Sequence, residues 1–356
     1  MADLHEFPHS PFGMRNTMLS CPKDLTGLTL GYDGALLCER GHRYPVIDGV
    51  PVLLRDDIDL TIDLARASMS RARDEPGSID ERRADLYLES LGISEAEKNM
   101  LVALSGTDSR KVDPVISVLV AATNGIAYKH LVGNLSELPI PHIRLPQATG
   151  KVMLDIGCSW GRWSIAAARK GYRVVGIDPS LGAIMAAKRL AKQLGLTIDY
   201  ICADARHLPF RDNSFDTVFS YSVIQHFSKD AATQTFTETG RVLKASGNCL
   251  IQMPNYLGIR NLNQLFRRNF AEGTGFEVRY WGIKELQNAF ERCIGPAKIS
   301  VHCYFGLGLE PTDSHLMPHR VRWVLAISES LRRLSTKLPW LANVADSVYV
   351  SAVKQA

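Results

Sequence analysis

In the stretch Leu154-Asp155-Ile156-Gly157-Cys158-Ser159-Trp160-Gly161 an apolar run enters a turn bounded by two glycines, and a helical pattern, Arg162 to Lys170, follows. The glycines let backbone pass close to a ligand, and a helix N-terminus offers it unpaired N–H groups. A nucleotide-like ligand suits this arrangement, and so does a bare strand-turn-helix connection. The acids that follow separate the two. Val174-Val175-Gly176-Ile177-Asp178 is a second apolar run ending in a carboxylate, 21 positions after Gly157, where both hydroxyls of a ribose can be accepted. Asp204 ends a third run, so acids at three successive strand ends, Asp155, Asp178 and Asp204, converge on one crevice. Asp155 beside the turn would repel a pyrophosphate, which favours a phosphate-free cofactor and leaves a dinucleotide dehydrogenase as the second reading.

Two further groups of residues carry chemistry. In Ser220-Tyr221-Ser222-Val223-Ile224-Gln225-His226-Phe227 the titratable side chain beside the crevice is His226, either a general base near neutral pH or a residue that orients the following helix. Near the N-terminus, Cys21-Pro22-Lys23-Asp24 and Cys38-Glu39-Arg40-Gly41-His42 supply thiolate, carboxylate and imidazole, a set that zinc accepts in tetrahedral geometry. The same segment also reads as a ribbon that keeps its fold through Tyr44, Pro45, Val46, Val50 and Val52 without a metal.

The elements that must position these residues divide into three parts. Residues 1–58 hold short apolar stretches broken by Gly27, Gly31, Gly34, Gly41 and Gly49, the pattern of a small β module. Residues 59–148 read as helical, with a capping box at Ser94 and Glu97 and an N-cap at Asp113 before Pro114; that last helix is expected to run to about Val132. Pro139, Pro141 and Pro146 then make an extended linker. Across 149–356, β-branched runs alternate with helical patterns: Val152–Ile156, Arg173–Ile177, Thr197–Cys202, Phe215–Ser220 and Asn248–Met253, then Lys298–Tyr304 and Ser347–Val353. The alternation predicts an α/β fold with parallel strands joined by crossovers, and the C-terminus is expected to complete the same sheet. Insertions fall at about 256–283 and 305–342.

Composition narrows the class without naming a substrate. With 46% hydrophobic residues and 41 Lys+Arg against 37 Asp+Glu, the chain of 356 residues is an ordinary globular protein whose net charge calls for no nucleic acid, acidic polymer or membrane surface. Residues Met1 to Ser20 hold no basic start followed by an apolar run, so a cytoplasmic location is expected. Five of the seven cysteines, Cys158, Cys202, Cys249, Cys293 and Cys303, lie in apolar segments as reduced core residues do.

Leu154 to Gly161, Gly176 to Ser180, Ala203 to Phe210 and Phe215 to Phe227 together resemble, in order and spacing, the successive motifs of class I S-adenosylmethionine-dependent methyltransferases. The resemblance implies a Rossmann-like seven-stranded sheet and S-adenosylmethionine as cofactor. It implies that Asp155 and the turn residues Gly157, Cys158 and Gly161 hold the methionine end, Asp178 the ribose, and Asp204 with the Ala205 amide the adenine edge. Ser220 and Tyr221 would line the methyl-transfer crevice beside His226. Ser159 stands where the family's turn usually has glycine. The N-terminal module is similar to zinc ribbons that precede or partner some methyltransferase domains, which implies a metal set of Cys21, Asp24, Cys38 and His42, with Asp24 replacing a cysteine. The fourth strand lacks an Asn/Asp-Pro-Pro-aromatic motif and its loop lacks cysteine, so a small-molecule or lipid-linked acceptor is expected. RNA methylation through the ribbon and a non-catalytic cofactor-binding protein are the alternatives. The insertions interleave Arg260, Arg267, Arg268 and Arg279 with Phe266, Phe270, Phe276, Tyr280 and Trp281, then Arg322, Arg332, Arg333 and Lys337 with Trp323, Val324 and Ile327. They read as an acceptor cover, a dimer surface, a peripheral membrane contact or solvated helix faces over a core.

Overall fold

A computed structural model describes residues 18–60, 62–74, 86–105, 112–124, 126–132, 134–306 and 308–355; most of the stretch used to judge a secretory signal lies outside them. The N-terminal module forms β1 (Leu28–Leu30), β2 (Leu36–Cys38) and β3 (Arg43–Tyr44), an antiparallel sheet, followed by the hairpin β4 (Val46–Ile47) and β5 (Val50–Leu53). The seven strands expected after the linker are all present: β6 (Val152–Ile156), β7 (Arg173–Asp178), β8 (Ile198–Ala203), β9 (Phe215–Ser220), β10 (Leu243–Pro254), β11 (Ala297–Cys303) and β12 (Ser347–Val353).

Their sheet has nine strands, in the order β11-β12-β10-β9-β6-β7-β8-β5-β4. The two additions come from the N-terminal module, because β5 pairs in parallel with β8 at Val52–Cys202 and Leu53–Ala203. An open sheet edge presents unpaired N–H and C=O groups, and here the module covers it. Ser20 N–H donates to the Pro209 carbonyl at 3.0 Å and Arg211 N–H to that of Met18 at 2.9 Å, so the module is also tied to the chain that leaves β8.

The last strands complete the same sheet as expected, and β12 runs antiparallel to both β10 and β11. The long connection after β11 returns the chain to the end it has just left, with Ser347 opposite Cys303, so the next strand must run back. One expectation is corrected at the helix after Pro114. Asp113 caps it as expected, its Oδ1 accepting from Val115 N–H at 2.9 Å, but the α-helix ends at Thr123 and continues only as a short 3-10 turn, Ile126–Leu131. Thr123 Oγ1 donates to the Leu119 carbonyl at 2.7 Å and Asn124 closes the last turn.

The helical segment lies over the sheet rather than apart from it. Its helices are α1 (Asp63–Asp74), α2 (Glu95–Ser105), where Ser94 and Glu97 close the capping box, and α3 (Pro114–Thr123). The sheet's own helices include α4 (Arg162–Ala168), α5 (Leu181–Gln193) and α6 (Lys229–Val242). In α5 the side chains of Leu181, Ile184 and Leu190 are fully buried, each contributing about 1.5–3 kcal/mol on removal from water. The 3-10 turn Leu88–Leu91 presses on the start of α5: Ser180 Oγ donates to the Ser90 carbonyl at 2.6 Å and Gly182 N–H to Ser90 Oγ at 2.7 Å. A Cβ on Gly182 would stand 2.6 Å from the Tyr87 carbonyl oxygen. The segment between the ribbon and the sheet is thereby clamped over the carboxyl end of β7.

The two insertions form α7 (Ile259–Arg267) and α9 (His319–Ser335), and between them α8 (Ile283–Cys293) re-enters the core. Gly258 cannot cap α7 with a side chain, and Asp346 does so from 85 positions away in sequence, its Oδ1 accepting from Arg260 and Asn261 N–H. All seven cysteines are free thiols. Among the described residues no helix is long and apolar enough to cross a membrane.

Candidate active site

A cavity of about 360 Å³ opens at the carboxyl ends of the central parallel strands, where an α/β sheet places its ligand. Gly157, Cys158 and Ser159 line it after β6, Asp178 after β7, Asp204 and Ala205 after β8, and Tyr221, Ser222 and His226 after β9. The chain turns sharply after β6, with Gly157 at φ 71° and Gly161 at φ 83°. A Cβ on Gly157 would lie 2.2 Å from Val223 Cγ2, so only glycine lets the β6 turn and the β9 loop close on each other. Ser159 adopts φ 47° without being glycine. The fold thus imposes the left-handed conformation that the family's glycine would take freely.

Asp178 holds this turn from the next strand. Its Oδ2 accepts from Ser159 N–H at 3.0 Å and its Oδ1 from Ser180 N–H at 2.9 Å. Burial raises its pKa to about 6 against those two hydrogen bonds. Each oxygen keeps a lone pair, so the carboxylate remains able to accept a diol. Asp204 is engaged differently: Arg206 grips it with Nε to Oδ1 at 3.1 Å and Nη2 to Oδ2 at 2.6 Å.

Three expected binding residues do not line the cavity. Asp155 is buried and receives Ser164 Oγ at 2.6 Å; burial, helped by the charge of Asp178 and opposed by the Ser164 bond, pushes its pKa up to about 7. Ser220 is turned to the Ile156 carbonyl at 3.0 Å, and Gly161 faces Tyr200 and Ala187. All three fix the walls from behind.

Tyr221 and His226 both reach the cavity. The Tyr221 ring lies 4.6 Å from Trp163, and its hydroxyl is 3.4 Å from His302 Nε2. His226 stacks on Phe276 at 3.9 Å and bonds the Phe276 carbonyl through Nδ1 at 2.7 Å. Burial lowers its pKa to about 4, with Arg279 adding to the shift and the Phe276 bond opposing it. The ring is therefore neutral at pH 7, Nδ1 donating to the Phe276 carbonyl and Nε2 accepting from Gln225 Nε2 at 3.2 Å.

Several lining residues carried no local sequence signal: Ile62, Leu64, Leu91 and Asn124 arrive from the helical segment, and Arg162 and Trp163 from the first turn of α4. Phe276, one of the insertion aromatics read as an acceptor cover, lines the cavity too. Arg279, expected among solvated or acceptor-facing cations, is instead buried and donates Nη1 to the carbonyls of His226, Gly275 and Glu277, which pins Phe276 over His226. Phe266, Phe270, Trp323 and Ile327 are exposed.

In the N-terminal module, Cys21, Asp24, Cys38 and His42 do come together, with one ligand atom of each within 4.8 Å of all the others. His42 Nδ1 lies 3.4 Å from Cys21 Sγ, 3.3 Å from Cys38 Sγ and 3.1 Å from Asp24 Oδ2, and Cys38 Sγ is 3.6 Å from Asp24 Oδ2. Tetrahedral bonds of zinc to sulfur, nitrogen and oxygen require edges of about 3.3–3.8 Å, so the donor set fits that ion. Thr26 occupies the other carboxylate oxygen of Asp24 through N–H at 3.0 Å and Oγ1 at 2.6 Å, leaving Oδ2 to the cluster.

The chain is similar to known proteins over half of its length. A family described as "Methyltransferase domain" matches residues 153–247. The chain is 42% identical over 181 residues to a "Ubiquinone biosynthesis O-methyltransferase" of Rhodopseudomonas palustris (strain BisB5), covering 50% of this chain and 67% of that one. A protein of the same name from strain HaA2 is 30% identical over 183 residues, with the same shares covered. The PH0226 protein from Pyrococcus horikoshii OT3 superposes with a TM-score of 0.38 at 21% identity, over 58% of this chain and 83% of that one.

Proposed function

Since this chain belongs to the class I S-adenosylmethionine-dependent methyltransferases, we propose that it methylates a small-molecule or lipid-linked acceptor seated against Tyr221, Trp163 and Phe276. The observation that carries this reading is one cavity lined by the β6 turn and Asp178 on one side and by Tyr221 and His226 on the other. The named relatives, O-methyltransferases of ubiquinone biosynthesis, support an acceptor of that kind.

S-adenosylmethionine supplies a methyl group activated by its sulfonium. In this proposal the residues of the chain do the positioning, which is where most of the barrier to such a displacement is lowered. Asp178 would accept the ribose hydroxyls, Asp204 and the Ala205 amide would meet the adenine, and the Gly157 to Ser159 backbone would face the amino-acid end. Asp155, Gly161 and Ser220 hold that frame without touching the ligand. Tyr221 forms a wall of the acceptor space, and neutral His226 takes an acceptor proton on Nε2 when the Gln225 amide, 3.2 Å away, gives up that nitrogen. We also propose that Cys21, Asp24, Cys38 and His42 hold zinc as a structural ion; none of them lines this cavity.

Calorimetric titration with S-adenosylmethionine tests the cofactor reading. Wild type should bind, and Asp178→Ala should weaken binding at least tenfold. No binding by wild type, or undiminished binding by the variant, would remove the mechanism. Incubating metabolite extracts with methyl-labelled cofactor then identifies the acceptor, with Asp178→Ala as the blank.

A further inference from the structure

The cavity wall carries donors that nothing among the described residues satisfies. Asn124, Arg162 and Trp163 all line it and all are more than nine-tenths buried. Asn124 Nδ2, Arg162 Nε and Trp163 Nε1 have no hydrogen-bond partner. A buried N–H without an acceptor is costly and is normally avoided, yet these three line one cavity, joined by Trp160 Nε1, and each can only donate.

The charges around that wall point the same way. Arg162 reaches Asp313 through Nη2 at 3.0 Å, and Tyr128 donates to the same Oδ2 at 2.5 Å. Behind Tyr221, His302 Nε2 meets Glu310 at 2.9 Å, while Arg144 donates to the carbonyls of Val301 and His302. Burial opposes charge on His302, but Cys303 and Glu310 carry its pKa up to about 9. Of these charged groups Arg162 alone lines the cavity; Asp313 holds its Nη2, and its Nε stays without a partner among the described residues.

We infer that Arg162, Asn124 and Trp163 form a subsite for a carboxylate on the methyl acceptor, so that the substrate class is a ring-bearing organic acid. This rests on the cavity being the methyl-transfer site. The acceptor rather than the cofactor is indicated because Asn124 and the Asp313–Tyr128 pair that steadies Arg162 belong to the helical segment and the second insertion, outside the cofactor turn.

Benzoate and its neutral counterpart benzamide are suitable probes, titrated by ligand-observed NMR into free protein and into protein saturated with S-adenosylhomocysteine. Wild type should prefer benzoate at least fivefold. Asn124→Leu should weaken benzoate about threefold and Arg162→Lys about tenfold, with benzamide and S-adenosylhomocysteine binding unchanged. Arg162→Lys keeps a cation for Asp313, and Asn124→Leu leaves every ion pair intact, so loss of folding does not mask the result. Equal binding of the two probes would overturn the inference. So would a tenfold loss of S-adenosylhomocysteine affinity in Arg162→Lys with benzoate unaffected, since the carboxylate recognised would then be the cofactor's. Failure of wild type to bind S-adenosylhomocysteine would instead sink the methyltransferase site, while the free-protein titration would still decide the anion subsite.

Discussion

The Ser159 N–H donates to Asp178 Oδ2 across 3.0 Å, joining the turn after β6 to the end of β7. That bond holds Ser159 at φ 47°, a conformation that costs an ordinary residue about 1–2 kcal/mol. Glycine would remove the strain and lose about 0.4–1 kcal/mol through its freer unfolded chain. Ser159→Gly should therefore gain ~0.5 kcal/mol in urea denaturation and leave cofactor affinity within twofold. A loss above 1 kcal/mol would show that the serine hydroxyl contributes something this account lacks.

Gly157 and Val223 set a stricter limit. With a Cβ 2.2 Å from Val223 Cγ2 and φ 71°, Gly157→Ala must push the β9 loop away and strain its own backbone. Destabilisation of about 2–3 kcal/mol is expected, together with cofactor binding too weak to measure by calorimetry. Val223→Ala in the same chain removes the methyl clash but not the strain, so it should restore part of the stability. If the double variant is no better than the single one, steric closure is not what requires the glycine.

Much of this frame was legible because its signals are local. Val152–Ile156, Phe215–Ser220 and Ser347–Val353 are β-branched runs with the bounds expected of them, and the Ser94 and Asp113 caps follow from side chains two or three residues from their partners. What escaped depends on distant pairings. The fusion of β5 to β8 joins Val52 to Cys202, and the cap of α7 comes from Asp346. In the cavity the acids Asp178 and Asp204 were legible by position, whereas Asn124 and Arg162 gain meaning only through Tyr128 and Asp313, which no spacing brings together.

The zinc set makes a prediction that does not involve methyl transfer. Protein purified without a histidine tag should contain close to one zinc per chain, and Cys38→Ser should lower both zinc content and melting temperature. Thr26→Val frees Asp24 Oδ1 from the Thr26 hydroxyl, which lies at 2.6 Å, and should weaken zinc about tenfold, the size of effect usual for a residue that orients a ligand. Asp24→Cys should tighten it by supplying a softer donor. Zinc below a tenth of an equivalent in protein expressed with added zinc would remove the ion and leave a ribbon held by its apolar residues.

Asp155 gives the protein a pH dependence of opposite sign to that of a salt-bridged carboxylate. Its pKa is raised to about 7 by burial, with the nearby Asp178 adding to the effect, against about 3.9 in an unfolded chain. The folded state binds the proton more tightly, so the contribution to stability is complete below about pH 4 and is lost as pH rises through about 7. Asp178, raised to about 6, acts in the same direction. The loss from Asp155 amounts to on the order of 2–4 kcal/mol by pH 8. Asp155→Asn keeps an oxygen to accept from Ser164 and cannot ionise. It should match wild type within about 1 kcal/mol at pH 5, and exceed it by about 2 kcal/mol or more at pH 8, in urea denaturation of the ligand-free protein. If the variant were less stable by the same amount at both values, Asp155 would be contributing hydrogen bonds rather than an ionisation, and the carboxylate behind the turn would have to be charged in the folded protein.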